Sequence, residues 1–246
     1  MACSMTVDSG VATVTIANPG RANSLNRELL EQLADFYSVA ERDAEVRVVC
    51  LTGEGGSFCA GADLKPAPGE SARVIEDDES ALWRTVVRGT GLTKPRIAVV
   101  NGPAVGGGFE LVLGCEFAVA STSAFFALPE VAHGLMPGAG GLPILARNLP
   151  LKKAAEVGLL GVRLSASDAL RWGLISRVVE PQELASSAED LAQTLAQADP
   201  FAVRAVRAVL RRENALAGPD GPAWTCNQRW SRTLRRRRSG IAMEGL

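Results

Sequence analysis

"AVGGGFELVLG" occupies positions 104 to 114, and its reading decides the fold. Three consecutive glycines weaken a strand and a helix alike, so the triplet demands a reason. It follows "RIAVVNG" (Arg96 to Gly102), a short apolar run ended by glycine, and it leads into an apolar run that carries Glu110. If "GGGFELVLG" opens a helix, the free amides of Gly107 and Gly108 lie at its positive end and can donate to an oxygen that gains negative charge. Glu110 then sits three residues after Gly107, on the same face. The plainer alternative is that the glycines permit close strand–helix packing and that Glu110 merely suits a first turn. The segment alone is compatible with both.

Two other stretches share the design of an apolar strand followed by a glycine loop: "VVCLTGEGGSFCAGAD" and "FFALPEVAHGLMPGAGG". None of the loops satisfies GxGxxG or GxxxxGK[ST], which disfavours phosphate cradling of the Rossmann or P-loop kind. Strand-to-helix loops of an α/β sheet gather at the carboxyl ends of the strands, so three of them can surround one pocket. The rest of the first half agrees. "VATVTIA" (Val11 to Ala17) alternates as a strand, and "VRVVCLTG" (Val46 to Gly53) is a buried-strand run. "NRELLEQLADFYSVAERD" (Asn26 to Asp43) is predicted helical, with Leu29, Leu30, Leu33 and Phe36 as its apolar stripe and Asn26 as its cap. "CEFAVAS" and "SAFFALPE" add two strands. Beyond about Ala139 strands mostly give way to helices, including "LASSAEDLAQTLAQA" and "FAVRAVRAVLRREN". A turn is expected at Gly218 to Pro222, with a last helix from Ala223. The fold class is therefore α/β, with a helical carboxyl-terminal lobe.

Composition narrows the function classes. The chain has 246 residues, 47% hydrophobic and 22% charged, enough for a substantial core in one large domain. A net charge of −1 gives no general reason to bind nucleic acid or an anionic membrane. No apolar stretch reaches the roughly 18 residues a membrane span needs, and "MACSMTVDSG" lacks a secretory pattern, so a cytoplasmic location is expected. The 5 cysteines are dispersed without a CxxC pair, which reads as reduced thiols; Cys59 and Cys115 suit small buried positions. With one histidine, His133, and no metal-ligand spacing, no metal is expected. His133 is read as a loop residue near the pocket rather than a catalyst.

A second carboxylate, Glu130 in "LPEVAHG", stands where a strand end delivers side chains, although by itself it also reads as a solvated loop glutamate. Asp63 in "CAGADLK" reads equally as an acidic cap or a partner of Lys65. "RTLRRRR" (Arg232 to Arg238) is a solvated helix end on one reading and an anion contact on another.

Taken together, "NPGRANSLNRELLEQL", "VVCLTGEGGSFCAGADLK", "KPRIAVVNGPAVGGGFELVLGCEFAVAS", "FALPEVAHGLMPGAGG" and "LSASDALRWGLISRVVEPQEL" resemble the crotonase family, also called enoyl-CoA hydratase/isomerase, over about Val11 to Leu210. The resemblance implies a spiral of ββα units (residues 1–195) with a carboxyl-terminal helical region (196–246) that makes trimers or dimers of trimers. It implies an acyl-CoA thioester ligand and no separate cofactor, coenzyme A being part of the substrate. It assigns the amides of Ala62 and Gly107 to an oxyanion hole and places Glu110 and Glu130 at both positions that carry glutamates in hydratases. Ala22, Ala60, Asp63 and Leu64 match the coenzyme A path, and Gly138 matches a loop amide near the catalytic water. The 66–90 stretch matches the region that shapes the acyl pocket.

The implied reaction is reversible addition of water to a 2-enoyl-CoA. Two amides stabilise the enolate-like oxygen, while one carboxylate deprotonates water and the other protonates Cα. Two acids sharing a water repel as anions, which raises one of their pKa values. Glu110, near a helix start, is expected to be the ionised partner and Glu130 the proton donor. The alternatives are a Δ3,Δ2 isomerase, a specialised dehydratase such as one acting on carnitinyl-CoA, and a non-catalytic acyl-CoA-binding protein.

Overall fold

Strands form where β-branched residues alternate, and one six-stranded sheet collects most of them, lying side by side in chain order. The computed structural model describes residues 3–63, 89 and 91–215, with side chains up to 211. Leu64, most of the 66–90 stretch, the Gly218 to Pro222 turn, the helix expected from Ala223 and the Arg232 to Arg238 run lie outside the described residues. The sheet comprises β1 (Ser4–Asp8), β2 (Val11–Ile16), β3 (Val48–Gly53), β4 (Arg96–Val100), β6 (Phe117–Ser121) and β9 (Arg177–Val179). β1 and β2 form an antiparallel hairpin, and every other pairing in this sheet is parallel. A second sheet joins β5 (Ala104–Val105), β7 (Phe125–Ala127) and β8 (Leu164–Ser165).

Period-2 alternation divides the large sheet's side chains between two cores. Val49, Leu51, Ala98 and Val100 face the main core, which also takes Leu29, Leu30, Leu33 and Tyr37 of α1 (Arg27–Arg42). Val48, Cys50, Ile97 and Val119 face the other side and are covered by Leu184, Ala188 and Ala192 of α6 (Leu184–Gln197). The Asn26 side chain caps α1 as expected, accepting from the Leu29 amide at 2.9 Å. Tyr37, not Phe36, takes the innermost aromatic position of the stripe, because Leu30, Leu33, Tyr37 and Ala40 keep the helical repeat. At the other end of α1, buried Lys94 donates to the carbonyls of Ala40 and Asp43, a cation answering the helix's negative pole.

The glycine triplet does open a helix, α2 (Gly107–Gly114), and all eight of its residues are buried. After it come α3 (Gly141–Asn148), α4 (Leu151–Leu160), α5 (Ala166–Arg171), α6 and α7 (Pro200–Ala215). Several elements were not anticipated, β5 and α4 among them. β1 is mostly exposed and too short for a strong alternation signal, and β8 is only two residues long. α3 begins at a glycine pair, which reads locally as a loop. The region expected at 196–246 is described only as far as 215.

Asn23 fastens the loops that precede the site. It is fully buried in a left-handed conformation (φ 58°). Its amide donates to the carbonyls of Glu54 (2.9 Å) and Ser57 (2.8 Å), and its Oδ1 accepts from the Asn18 amide at 2.9 Å. Left-handed backbone costs asparagine less than most residues, and removal strands several buried backbone groups. Asn23→Ala is therefore expected to lose about 2–4 kcal/mol of stability, read by urea unfolding.

Candidate active site

Two segments from different strand ends cross in close contact, and their crossing builds the site. The loop after β3 runs along the chain before α2: Cys59 bridges Ala104, and the Val105 amide donates to the Cys59 carbonyl at 2.9 Å. A Cβ at Gly108 would lie 2.2 Å from that same carbonyl oxygen, so glycine is obligatory there. Gly61 has φ +86°, and a Cβ on it would lie 2.7 Å from the Val105 carbonyl oxygen and 3.1 Å from the Gly107 nitrogen. Gly106 has φ +55°, and a Cβ there would come within 3.0 Å of Glu130 Oε1. The triplet thus divides its work. Gly108 serves close packing, the plainer of the two sequence readings, while Gly106 turns the chain and leaves room for a carboxylate.

At this crossing the amides of Ala62 and Gly107 lie on neighbouring strands of chain. Among the described residues neither has a hydrogen-bond acceptor. Ala62 is fixed from its far side, where it bridges Leu25: the Leu25 amide donates to Gly61 O at 2.7 Å and the Asp63 amide to Leu25 O at 2.8 Å. Ala60 donates to the carbonyl of Ala22 at 3.0 Å, and Ala22 is left-handed (φ 49°). Both are exposed, and Asp63, also matched to the coenzyme A path, is half-buried. Asp63 pairs with Arg21.

Glu110 is 2% exposed. Its carboxylate reaches the start of α3, accepting from the amides of Ala139 (3.0 Å) and Gly141 (2.8 Å) on Oε1. A Cβ at Gly141 would sit 2.7 Å from Glu110 Cγ, so this glycine makes room for the side chain. Gly138 is half-buried in the same turn, immediately before Ala139. Glu130 opens the short 3-10 turn Glu130–His133, and its Oε2 is buried with no partner among the described residues. His133 is exposed at the end of that turn.

Burial pushes Glu110 up to about 8; the neighbouring Glu130 carboxylate adds to the rise, and the amides of Gly141, Ala139 and Gly140 oppose it. Burial likewise pushes Glu130 up to about 7. Near neutral pH the pair therefore shares about one proton. Glu110 is raised even though its place near a helix start was expected to favour the ionised form. Its amide donors come from the start of a second helix, α3, yet its desolvation and its neighbour outweigh them. The thiol of Cys59 is pushed up to about 12 by burial, in keeping with a packing role.

Sequence reasoning missed the Ala139 and Gly141 donors. The signal was present in "PGAGG", a glycine loop before an apolar run, which marks a helix start with free amides.

Comparison with known proteins follows the same geometry. A sequence model of the family described as Enoyl-CoA hydratase/isomerase matches residues 6–228. The (E)-benzylidenesuccinyl-CoA hydratase of Thauera aromatica is 38% identical over 227 residues, covering 90% of this chain and 85% of that protein. The mevalonyl-coenzyme A hydratase of Aspergillus fumigatus is 38% identical over 194 residues, covering 79% of this chain and 72% of that protein. The crystal structure of a carnitinyl-CoA hydratase from Mycobacterium avium superposes with a TM-score of 0.85 at 37% identity, covering 95% of this chain and 90% of that one.

The raised acidity constant of Glu110 has a stability consequence with a definite sign. The folded state holds this proton more tightly than the unfolded chain, whose carboxyl titrates near 4.5. Stability from this group is fully present below that value and is lost as pH climbs towards about 8. Glu110→Gln, which keeps an acceptor for the α3 amides, is expected to be more stable than the unsubstituted protein at pH 8. The difference should shrink towards zero by pH 5, as measured by denaturant unfolding at both values.

Proposed function

The chain belongs to the enoyl-CoA hydratase/isomerase family, and on that premise we propose that it is a hydro-lyase that reversibly adds water across the double bond of a 2-enoyl-CoA thioester. The observation that carries this reading is the carboxyl pair, buried Glu110 and Glu130 with its buried Oε2, beside two amides that lack an acceptor among the described residues. A protein that only bound acyl-CoA would need no second buried acid, and burying both costs stability.

The chemistry follows from this geometry. The thioester oxygen accepts from Ala62 and Gly107 N–H, and each such donor can be worth roughly 3–4 kcal/mol of barrier once the oxygen becomes enolate-like. A water molecule between the carboxyl groups gives one proton to the ionised member as its oxygen bonds to Cβ of the substrate. The C=C electron pair moves towards the thioester oxygen, and Cα takes a proton from the protonated member. One proton enters the pair and one leaves, so the pair ends with the single proton it began with. Gly138, in the turn that also holds Glu110, is the proposed contact to that water. Ala22, Ala60, Asp63 and Leu64 are the proposed coenzyme A path, bound largely through backbone. No separate cofactor enters this scheme.

A second reading within the same chemistry is favoured by the relatives' names, which cover benzylidenesuccinyl-CoA and mevalonyl-CoA. The substrate on that reading is a functionalised thioester, hydrated or dehydrated, rather than a plain fatty acyl chain. We further propose a cytoplasmic homotrimer or dimer of trimers. Support comes from exposed apolar residues on α4 (Leu151, Leu159, Leu160) and α7 (Phe201, Val206, Val209). Among the described residues no helix is long and apolar enough to cross a membrane.

Turnover of crotonyl-CoA, longer 2-enoyl-CoAs and hydroxylated or carboxylated acyl-CoAs, followed by absorbance and mass spectrometry, tests the reaction. Glu110→Gln and Glu130→Gln should each lower kcat by about 10²–10⁴-fold, with thioester binding retained. Inertness of the unsubstituted protein on the whole panel, with acyl-CoA still bound, would count against hydration. The pH–rate profile should be bell-shaped around neutrality, with limbs belonging to the pair rather than to either residue. Loss of one limb in either glutamine variant is the accompanying expectation.

A further inference from the structure

The carboxyl end of α2 lies in a second cluster of buried charges, away from the crossing that forms the site. Glu116, two residues beyond the helix, is 14% exposed at its side chain and lies 3.1 Å from Arg207 Nε. It also pairs with Arg211 Nε, and its Oε2 accepts from the Arg96 amide at 2.8 Å. Gly114 O, at the last residue of α2, accepts from Arg211 Nη2 at 2.7 Å and from Arg96 Nη2. Arg96 is fully buried, with its guanidinium over the Tyr37 ring at 5.5 Å. A Cβ at Gly89 would lie 3.1 Å from Arg96 Cζ. Arg207, 8% exposed, also donates to Leu92 O at 2.8 Å.

Arg207 and Arg211 belong to α7, so this cluster ties the last described helix to the helix that carries Gly107 and Glu110. Apolar residues would hold α7 to the core with less desolvation, so general adhesion is a poor explanation for two buried guanidiniums and a half-buried third. Planar forks suit a different task. Arg211 reaches a carbonyl and a carboxylate at once, which fixes direction as well as distance. The helix so gripped is only about 12 Å long and behaves as a rod between its two ends.

We propose that Arg211, Arg207 and Arg96 are positioning residues for the site: they grip the carboxyl end of α2 through Gly114 O and Glu116, so that α7 sets where the Gly107 amide and the Glu110 carboxylate stand. The proposal rests on the reading of α2 as the carrier of an oxyanion donor and an acid. Burial would raise the pKa of Glu116, but Arg211, Arg96 and Arg207 outweigh it and hold the group below its usual range, so the grip stays charged at neutral pH. None of the three arginines touches the reacting atoms in this scheme; they act through the helix.

The experiment compares Arg211→Ala with Arg211→Lys and with Arg204→Ala, a control that removes an exposed arginine from the same helix. Arg211→Ala should lower kcat by about ten-fold or more, as small misplacements of catalytic groups do. KM should stay within about two-fold, because the thioester's ground-state contacts remain. Arg211→Lys keeps the charge but not the fork and should recover only part of kcat, and Arg204→Ala should change neither constant. Hydrogen–deuterium exchange of the α2 amides should speed up in Arg211→Ala and not in Arg204→Ala. Exchange reads the helix directly, so it tests the grip even where no 2-enoyl-CoA is turned over, and failure of the reaction reading stays distinguishable from failure of this one. Should Arg211→Ala not fold, Glu116→Gln, which keeps shape and loses charge, takes its place with the same expectations. A folded variant with unchanged α2 exchange would overturn the proposal, as would a loss that Arg204→Ala reproduces.

Discussion

The arrangement depends on the contact between the Cys59–Asp63 loop and the turn into α2. Two backbones approach there so closely that a single methyl group at Gly108 would lie 2.2 Å from a carbonyl oxygen. The loops leave different strands, β3 and β4, and would otherwise move independently at the sheet's edge. Bridged at Cys59 and Ala104, they become one body, and the amides of Ala62 and Gly107 hold a fixed relation to each other. Preorganised donors stabilise a developing charge without reorganising at the moment of reaction. The second, small sheet serves the same end, because the Gly106 amide donates to Ala127 O at 2.8 Å and places the Glu130 strand end against the turn.

Burial of the two acids follows from that packing and gives them their chemistry. In water both carboxyls would be ionised at neutral pH and would make poor proton donors. Here desolvation raises both, and mutual repulsion raises Glu110 further. The amides at the start of α3 oppose the rise at Glu110. Oε2 of Glu130, by contrast, has no partner among the described residues. One acid is held by backbone and the other keeps an oxygen without a partner among the described residues, an inequality that the proposed hydration uses.

Much of this was legible in the sequence because its signals are local. Alternation in Val11–Ile16, the Asn26 cap and the glycine stop of β3 each depend on neighbours a few residues away. The family motifs likewise singled out Glu110, Glu130, Ala62 and Gly107 without coordinates. What stayed hidden depends on distant pairs. Nothing near Glu110 in the chain reveals that Ala139 and Gly141 will donate to it, 29 and 31 residues on. The rise in its pKa stayed hidden for the same reason: the start of its own helix is visible in sequence, whereas the depth of burial and the neighbouring carboxylate are not. The Arg21–Asp63 pair and the Arg96–Glu116–Arg211 cluster join segments whose proximity only the fold supplies.

The two ends of α2 are treated unequally, and this asymmetry has a physical sense. Every helix leaves amides free at one end and carbonyls free at the other. At Gly114 the free carbonyl is answered by two guanidiniums, while at Gly107 the free amide has no acceptor among the described residues. Satisfying the carboxyl end with cations offsets the negative pole of the dipole where it would only cost energy. The unanswered amino end is the one that the proposed reaction assigns to an oxygen acquiring charge. The apolar residues of this buried helix seat it in the core, and directional contacts at its two ends fix how it is turned there. The crossing with Cys59 holds one end and the arginine cluster the other, and Glu110, near the middle, takes its position from both.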